Sequence, residues 1–193
     1  MRYTMAYIQI LLAITNRDMH RFSELVFRST SFTLGVLEEV KSKVIEQLQT
    51  SGSTVLVKNL QMIQLQKAIT AIGMFSLFES ILQDGLACKN GFDEAEKILN
   101  QSGNNELNNR FEDFICAINA LKHGKGRSYN TLVAKSSMLP FKIKMPDEDY
   151  FDEGDVSEIT TLIEVDDEFV LACARLIEEV SEEIRIARPD FFL

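Results

Sequence analysis

The sequence predicts an all-α fold: a helical bundle built on a long antiparallel helical hairpin, with a small extended insertion near residues 139–165. Three observations carry this. Apolar residues recur at spacings of three, four and seven, the period of a helix that buries one face. Only 9 Gly and 3 Pro occur in 193 residues, which argues against a β-sandwich or a mostly disordered chain. Strand-type alternation is limited to Phe141-Lys142-Ile143-Lys144, with Thr160 to Val165 as an extended piece able to pair with it. The length suits one compact domain with a real core, so residues 1–193 are read as a single domain.

Taken in order, Met5 to Ile14 is an apolar run interrupted by Gln9. It is too short to span a membrane and has no small-residue cleavage site after it, so it reads as a buried or dimer-packing helix. Asn16 or Asp18 can cap a long helix to about Gln49, with Leu25, Phe32, Val36, Val40, Val44 and Leu48 as its stripe. Ser51-Gly52-Ser53 is a turn, Ser53 serving as the next cap. A second long helix runs from about Thr54 to Cys88 on Leu56, Leu60, Ile63, Ile69, Ile72, Phe75, Leu82 and Leu86, and Gly73 permits close approach of a neighbour. At about 1.5 Å per residue, both helices exceed what a small core needs, so part of the hairpin is expected to pack on another chain. Glu79, close to Phe75 and Phe78, either pairs with a cation in the bundle or lies on its solvated edge.

Asn90-Gly91 is a turn before a short helix from Asp93 to Asn100, which Ser102-Gly103 ends. Asn104 or Asn105 caps the next helix, which carries Leu107, Phe111, Phe114, Ile115, Ile118 and Leu121 on one face and stops at Gly124. Ser128 to Ala134 is a short helix anchored by Tyr129 and Leu132. Pro140 and Pro146 bracket the alternating segment, and the acidic run 147–155 reads as a mobile loop with little apolar content. Asp166 caps a last helix to about Ala187, with Phe169, Val170, Cys173, Leu176, Ile177, Val180 and Ile184 inward and Pro189 beyond its end.

Composition narrows the function. The net charge of −9 disfavours nonspecific nucleic-acid binding by the whole surface. The distribution is uneven, however. From Asp147 to Glu183 there are 15 acidic residues and a single basic one, Arg175, so that segment carries −14 and the remainder +5. Between Phe114 and Pro146 there is no acid and there are six cations: Lys122, Lys125, Arg127, Lys135, Lys142 and Lys144. The three cysteines are distant in sequence and odd in number, which fits buried inert thiols in a reducing, cytoplasmic compartment. Two histidines without a Cys pair do not make a structural zinc site, and the acidic run lacks EF-hand spacing, so no metal or cofactor is expected. No phosphate-cradling glycine loop, metalloprotease helix or nucleophile elbow is present.

Reactive groups concentrate in Asn119-Ala120-Leu121-Lys122-His123-Gly124-Lys125-Gly126-Arg127-Ser128-Tyr129. Asn119 and His123 are i,i+4 neighbours on the flank of the apolar stripe, beside Glu112 and Cys116. This stretch resembles the HEPN superfamily, all-α domains of bacterial toxins, phage-defence systems and CRISPR-associated ribonucleases. Members carry an Arg, four to six residues, then His, on a late helix, and a polar residue commonly follows the Arg. Asn119 matches that polar residue and His123 the histidine. Four intervening residues would put the arginine at Ile118, and five or six at Ala117 or Cys116, so the arginine is absent and Lys122 or Arg127 is its nearest substitute.

The resemblance implies a metal-independent ribonuclease or RNA-binding protein of defence or toxin–antitoxin type. His123 would be the general acid/base, assisted by Asn119, and Lys122, Lys125 and Arg127 would meet RNA phosphates. It also implies a homodimer, read as packing through the motif helix and the long hairpin, a cognate antitoxin or defence partner, and no membrane. Two other readings stand beside it. One is a non-catalytic interaction or regulatory module in which Asn119 and His123 hydrogen-bond across helices or complement a helix end. The other is an acidic mimic of nucleic acid through Asp147–Glu183.

Overall fold

The computed structural model describes residues 21–189, and within them six α-helices form the predicted all-α bundle. We label them α1 (Phe22–Leu48), α2 (Thr54–Gly85), α3 (Gly91–Gln101), α4 (Asn105–His123), α5 (Arg127–Ala134) and α6 (Asp167–Ala187). The apolar run Met5–Ile14, the caps Asn16 and Asp18, and His20 lie outside the described residues.

Helix starts follow local chemistry. Ser53, Asn90, Asn104 and Asp166 each accept a first-turn N–H through a side-chain oxygen, which satisfies one of the donors a helix start leaves open. Gly124 ends α4 at φ +74°, a conformation glycine adopts without steric cost. The core is built by α2, α3, α4 and α6. Its centre is a cluster of rings: Phe111 lies 5.5 Å from Phe92, 6.3 Å from Phe78 and 6.5 Å from Phe75, centroid to centroid. All seven predicted inward positions of α6 are buried. Lys67 is buried as well, and its ammonium meets Asp167 at 2.8 Å, joining α2 to the first turn of α6.

Gly91 opens α3 against the end of α2 rather than lying in a turn. A Cβ there would stand 2.6 Å from the Glu79 carbonyl oxygen and 2.7 Å from Leu82 Cβ. Backbone cannot yield as a flexible side chain can, so Gly91→Ala should cost about 2 kcal/mol through a forced shift of α3. Urea unfolding followed by circular dichroism measures it, and a destabilisation below about 0.5 kcal/mol would refute the close approach.

Two expectations about the hairpin are corrected. The α1 stripe Leu25, Phe32, Val36 and Val40 is exposed; the core-facing positions are Val26, Thr30, Leu34 and Val44. Ile69 on α2 is likewise exposed. The insertion pairs as expected but forms no strand among the described residues. A single antiparallel bridge joins Ile143 and Ile163, with Lys144 N–H to Leu162 O at 2.9 Å and Glu164 N–H to Lys142 O at 3.1 Å. The acidic loop that follows is tethered, because the Phe151 and Asp152 amides both donate to Glu158. Glu79 makes no ion pair among the described residues. By length and mean hydropathy (1.2) α2 is sufficient to cross a membrane, a property it shares with core helices of soluble proteins.

Candidate functional site

The predicted site lies where α4 ends and α5 begins. Only Gly124, Lys125 and Gly126 separate the two helices, so Lys122, His123, Lys125 and Arg127 gather at one corner of the bundle. The four side chains are exposed, and Asn119 is half-buried one helical turn back. Neither Asn119 nor His123 makes a side-chain hydrogen bond or ion pair with another described residue. Lys122 and His123 sit in the last turn of α4, where positive charge complements the helix dipole. The first-turn amides of α5 have no side-chain cap, since Gly126 occupies that position.

The six cations of the basic window divide into two groups. Lys135 pairs with Asp113, Lys142 with Glu164 at 3.2 Å, and Lys144 with Glu158 at 2.6 Å. Lys122, Lys125 and Arg127 form no ion pair with a described residue. The net positive charge of the window therefore concentrates at the corner. Arg110 is also committed elsewhere: its guanidinium spans both oxygens of Glu179 on α6, at 2.9 and 3.3 Å.

Around α4, at about 100° per residue, Glu112, Cys116, Asn119 and His123 fall on one stripe. Ile118 and Ala117 point into the core, 3% and 0% exposed. Of the three positions where the HEPN arginine would stand, only Cys116 shares the flank of Asn119 and His123. Burial pushes its thiol up, outweighing the nearby Lys135 charge and the Ser128 hydroxyl, so it stays protonated at neutral pH. Glu112 accepts from Asn108 at 3.0 Å. The stripe thus holds an imidazole and an amide with no fixed cation beside them. Tyr129 contributes structurally: its buried hydroxyl donates to the Lys144 carbonyl at 2.8 Å, which ties α5 to the insertion.

One concavity had no counterpart in the sequence patterns. A cleft of about 690 Å³ lies under the insertion, floored by Phe114, Phe141 and Phe169 and edged by Glu148, Glu164 and Glu168. Its rings approach one another at 5.1–5.4 Å between centroids. Its phenylalanines and glutamates are scattered over residues 114–169, and in sequence they read as core and loop. None of the corner residues lines this cleft.

Compared with protein-family models, curated proteins and solved structures, the chain matches none.

Proposed function

We propose that this chain is a HEPN-like RNA-binding protein of bacterial defence or toxin–antitoxin type, acting in the cytoplasm and meeting the RNA backbone at the α4–α5 corner. The supporting observation is the division of the basic window: three cations are neutralised within the fold, while Lys122, Lys125 and Arg127 stay exposed and form no ion pair with a described residue. Two features add to it. The uncapped amides at the start of α5 adjoin these cations and favour an anion. His123 presents a further donor when protonated.

A non-catalytic role fits the site better than cleavage. Phosphodiester cleavage needs a cation held on the scissile phosphate while an acid/base group moves a proton. Here the arginine positions 117 and 118 are core, and the remaining cations lie on exposed, unbraced side chains. A partner protein of antitoxin or defence type is in keeping with such a module.

The test is binding of a fluorescent single-stranded RNA at several salt concentrations. Replacing Lys122, Lys125 and Arg127 with Ala should weaken binding at least about 10-fold. It should also flatten the salt dependence by about two units, near 0.7 for each phosphate that is no longer neutralised. Unchanged affinity would overturn the reading. Cleavage of the RNA by wild type, abolished by His123→Ala, would replace the non-catalytic role with a nuclease.

A further inference from the structure

We propose that the outer face of the α1–α2 hairpin is a two-fold interface with a second copy of this chain. α1 carries two apolar stripes rather than one. The first faces the core; the second, Leu25, Phe32, Val36 and Val40, is 50%, 74%, 44% and 37% exposed. α2 carries a matching outer stripe of Val55, Met62, Leu65, Ile69 and Leu77, each more than half exposed. Between Lys58 and Glu79 its only charge is Lys67, which is buried against Asp167. About 30 Å of helix surface thus lacks any solvating charge.

The two stripes share one side of the hairpin. On α1, Phe22 stacks on Phe78 of α2, whereas Ser23 and Glu24 border a cleft with Glu178 and Ser181 of α6. At 100° per residue the second stripe of α1 continues past the α2 side, away from α6. On α2 the outer stripe is opposite Lys67 and Phe78, which face α6 and α1. Applied to ordinary side-chain areas, the exposures of these nine residues leave roughly 800 Å² of apolar surface, the per-partner size of a specific stable interface and more than a monomer commonly exposes.

Three features select a second copy as the occupant. The face is long and built from two antiparallel helices, so a two-fold partner completes a four-helix layer in which each stripe meets its equal. Charge agrees along α1: beside the stripe Glu39 pairs with Lys43, leaving that edge neutral. The acidic α6, with Glu178, Glu179, Glu182 and Glu183, is on the far side, so two copies joined here keep those charges apart. Finally, area agrees: the apolar surface the two stripes expose is about what each partner of a stable two-fold interface buries, so a second copy would use all of it. Gly73 lies within the outer stripe of α2 with nothing within 4 Å of its Cβ position, and so offers a point of close approach. Such a dimer does not use the motif helix. It leaves the α4–α5 corner of each protomer free, and it is independent of the RNA reading.

Light scattering on the full chain after size exclusion tests this. Wild type should have twice the 21.9 kDa chain mass, and Phe32→Glu with Ile69→Glu should raise the dimer dissociation constant at least about 100-fold. Both positions are exposed, so circular dichroism should show unchanged helicity. Phe32→Ser with Ile69→Ser should weaken the dimer as well, which gives a readout without added charge. Lys122→Glu with Arg127→Glu should remain dimeric. A wild-type monomer at about 100 μM would overturn the proposal. So would a dimer that survives the double variant, a monomer that dimerises when residues 2–20 are deleted, or binding to neutral phosphatidylcholine vesicles through this face.

Discussion

Phe111→Ala should destabilise the protein by about 4 kcal/mol, a large share of the roughly 5–15 kcal/mol that holds a domain of this size together. The ring is fully buried and touches Phe75, Phe78 and Phe92, so a single residue of α4 ties α2 and α3 together. Truncation removes the transfer free energy of the ring and leaves a cavity among aromatic walls that cannot collapse onto a methyl group. Edge-to-face pairing with Phe92 at 5.5 Å adds to the destabilisation. Phe111→Leu keeps much of the volume and should cost less than half as much. Urea unfolding at 222 nm reads both. A destabilisation under about 1.5 kcal/mol for the alanine variant would mean the aromatic cluster is not the keystone of the bundle. His123 lies twelve residues along the same helix, about 18 Å away, so RNA binding should change only with the folded fraction.

The parts of the fold legible in the sequence are those where one element has one job. α4 and α6 each bury a single stripe, and the predicted inward residues are either buried or packed against the core. Caps were legible for the same reason, since Asn104 and Asp166 answer a local need of the backbone. α1 was not, because it carries two apolar stripes. Periodicity marks both equally, and which one meets the core depends on where α2 and α6 pass. The insertion was legible as a pairing, but its bridge at Ile143 and Ile163 is too short to be a strand. At the candidate site the cluster itself was visible. What no local pattern carries is which cations stay outside the ion pairs of the fold. Lys142 and Lys144 are neutralised by carboxylates 22 and 14 residues away, and only the folded chain brings those together. Ile118, by contrast, belongs to the predicted inward stripe of α4, and its burial removes that motif position from the surface.

Glu158→Ala should cost about 3 kcal/mol and release the acidic loop, because it removes the carboxylate partner of the buried Lys144 ammonium. Glu158 is the hub of the insertion. Its carboxylate accepts from Lys144 Nζ at 2.6 Å and from the Phe151 and Asp152 amides at 2.9 and 3.4 Å, while Lys144 lies 4.6 Å from the Phe151 ring centroid. The alanine variant leaves a buried ammonium and two amides unanswered, so Lys144→Met combined with Glu158→Leu should be milder than Glu158→Ala alone. Burial by itself would raise the Glu158 carboxyl. The hydrogen bonds from Lys144, Phe151 and Asp152, together with the Lys144 charge, outweigh it and hold the group below the ordinary glutamate value. A carboxyl lowered in the folded state contributes stability that is full above its unfolded value, near 4.5, and is lost as the pH falls through the lowered folded value. Wild type should therefore lose stability below about pH 4.5 more steeply than Glu158→Gln, whose stability should be lower at neutral pH and flatter in acid. Hydrogen exchange at the Phe151 and Asp152 amides reports the same event locally, and protection unchanged in Glu158→Ala would show that the loop is held by something else.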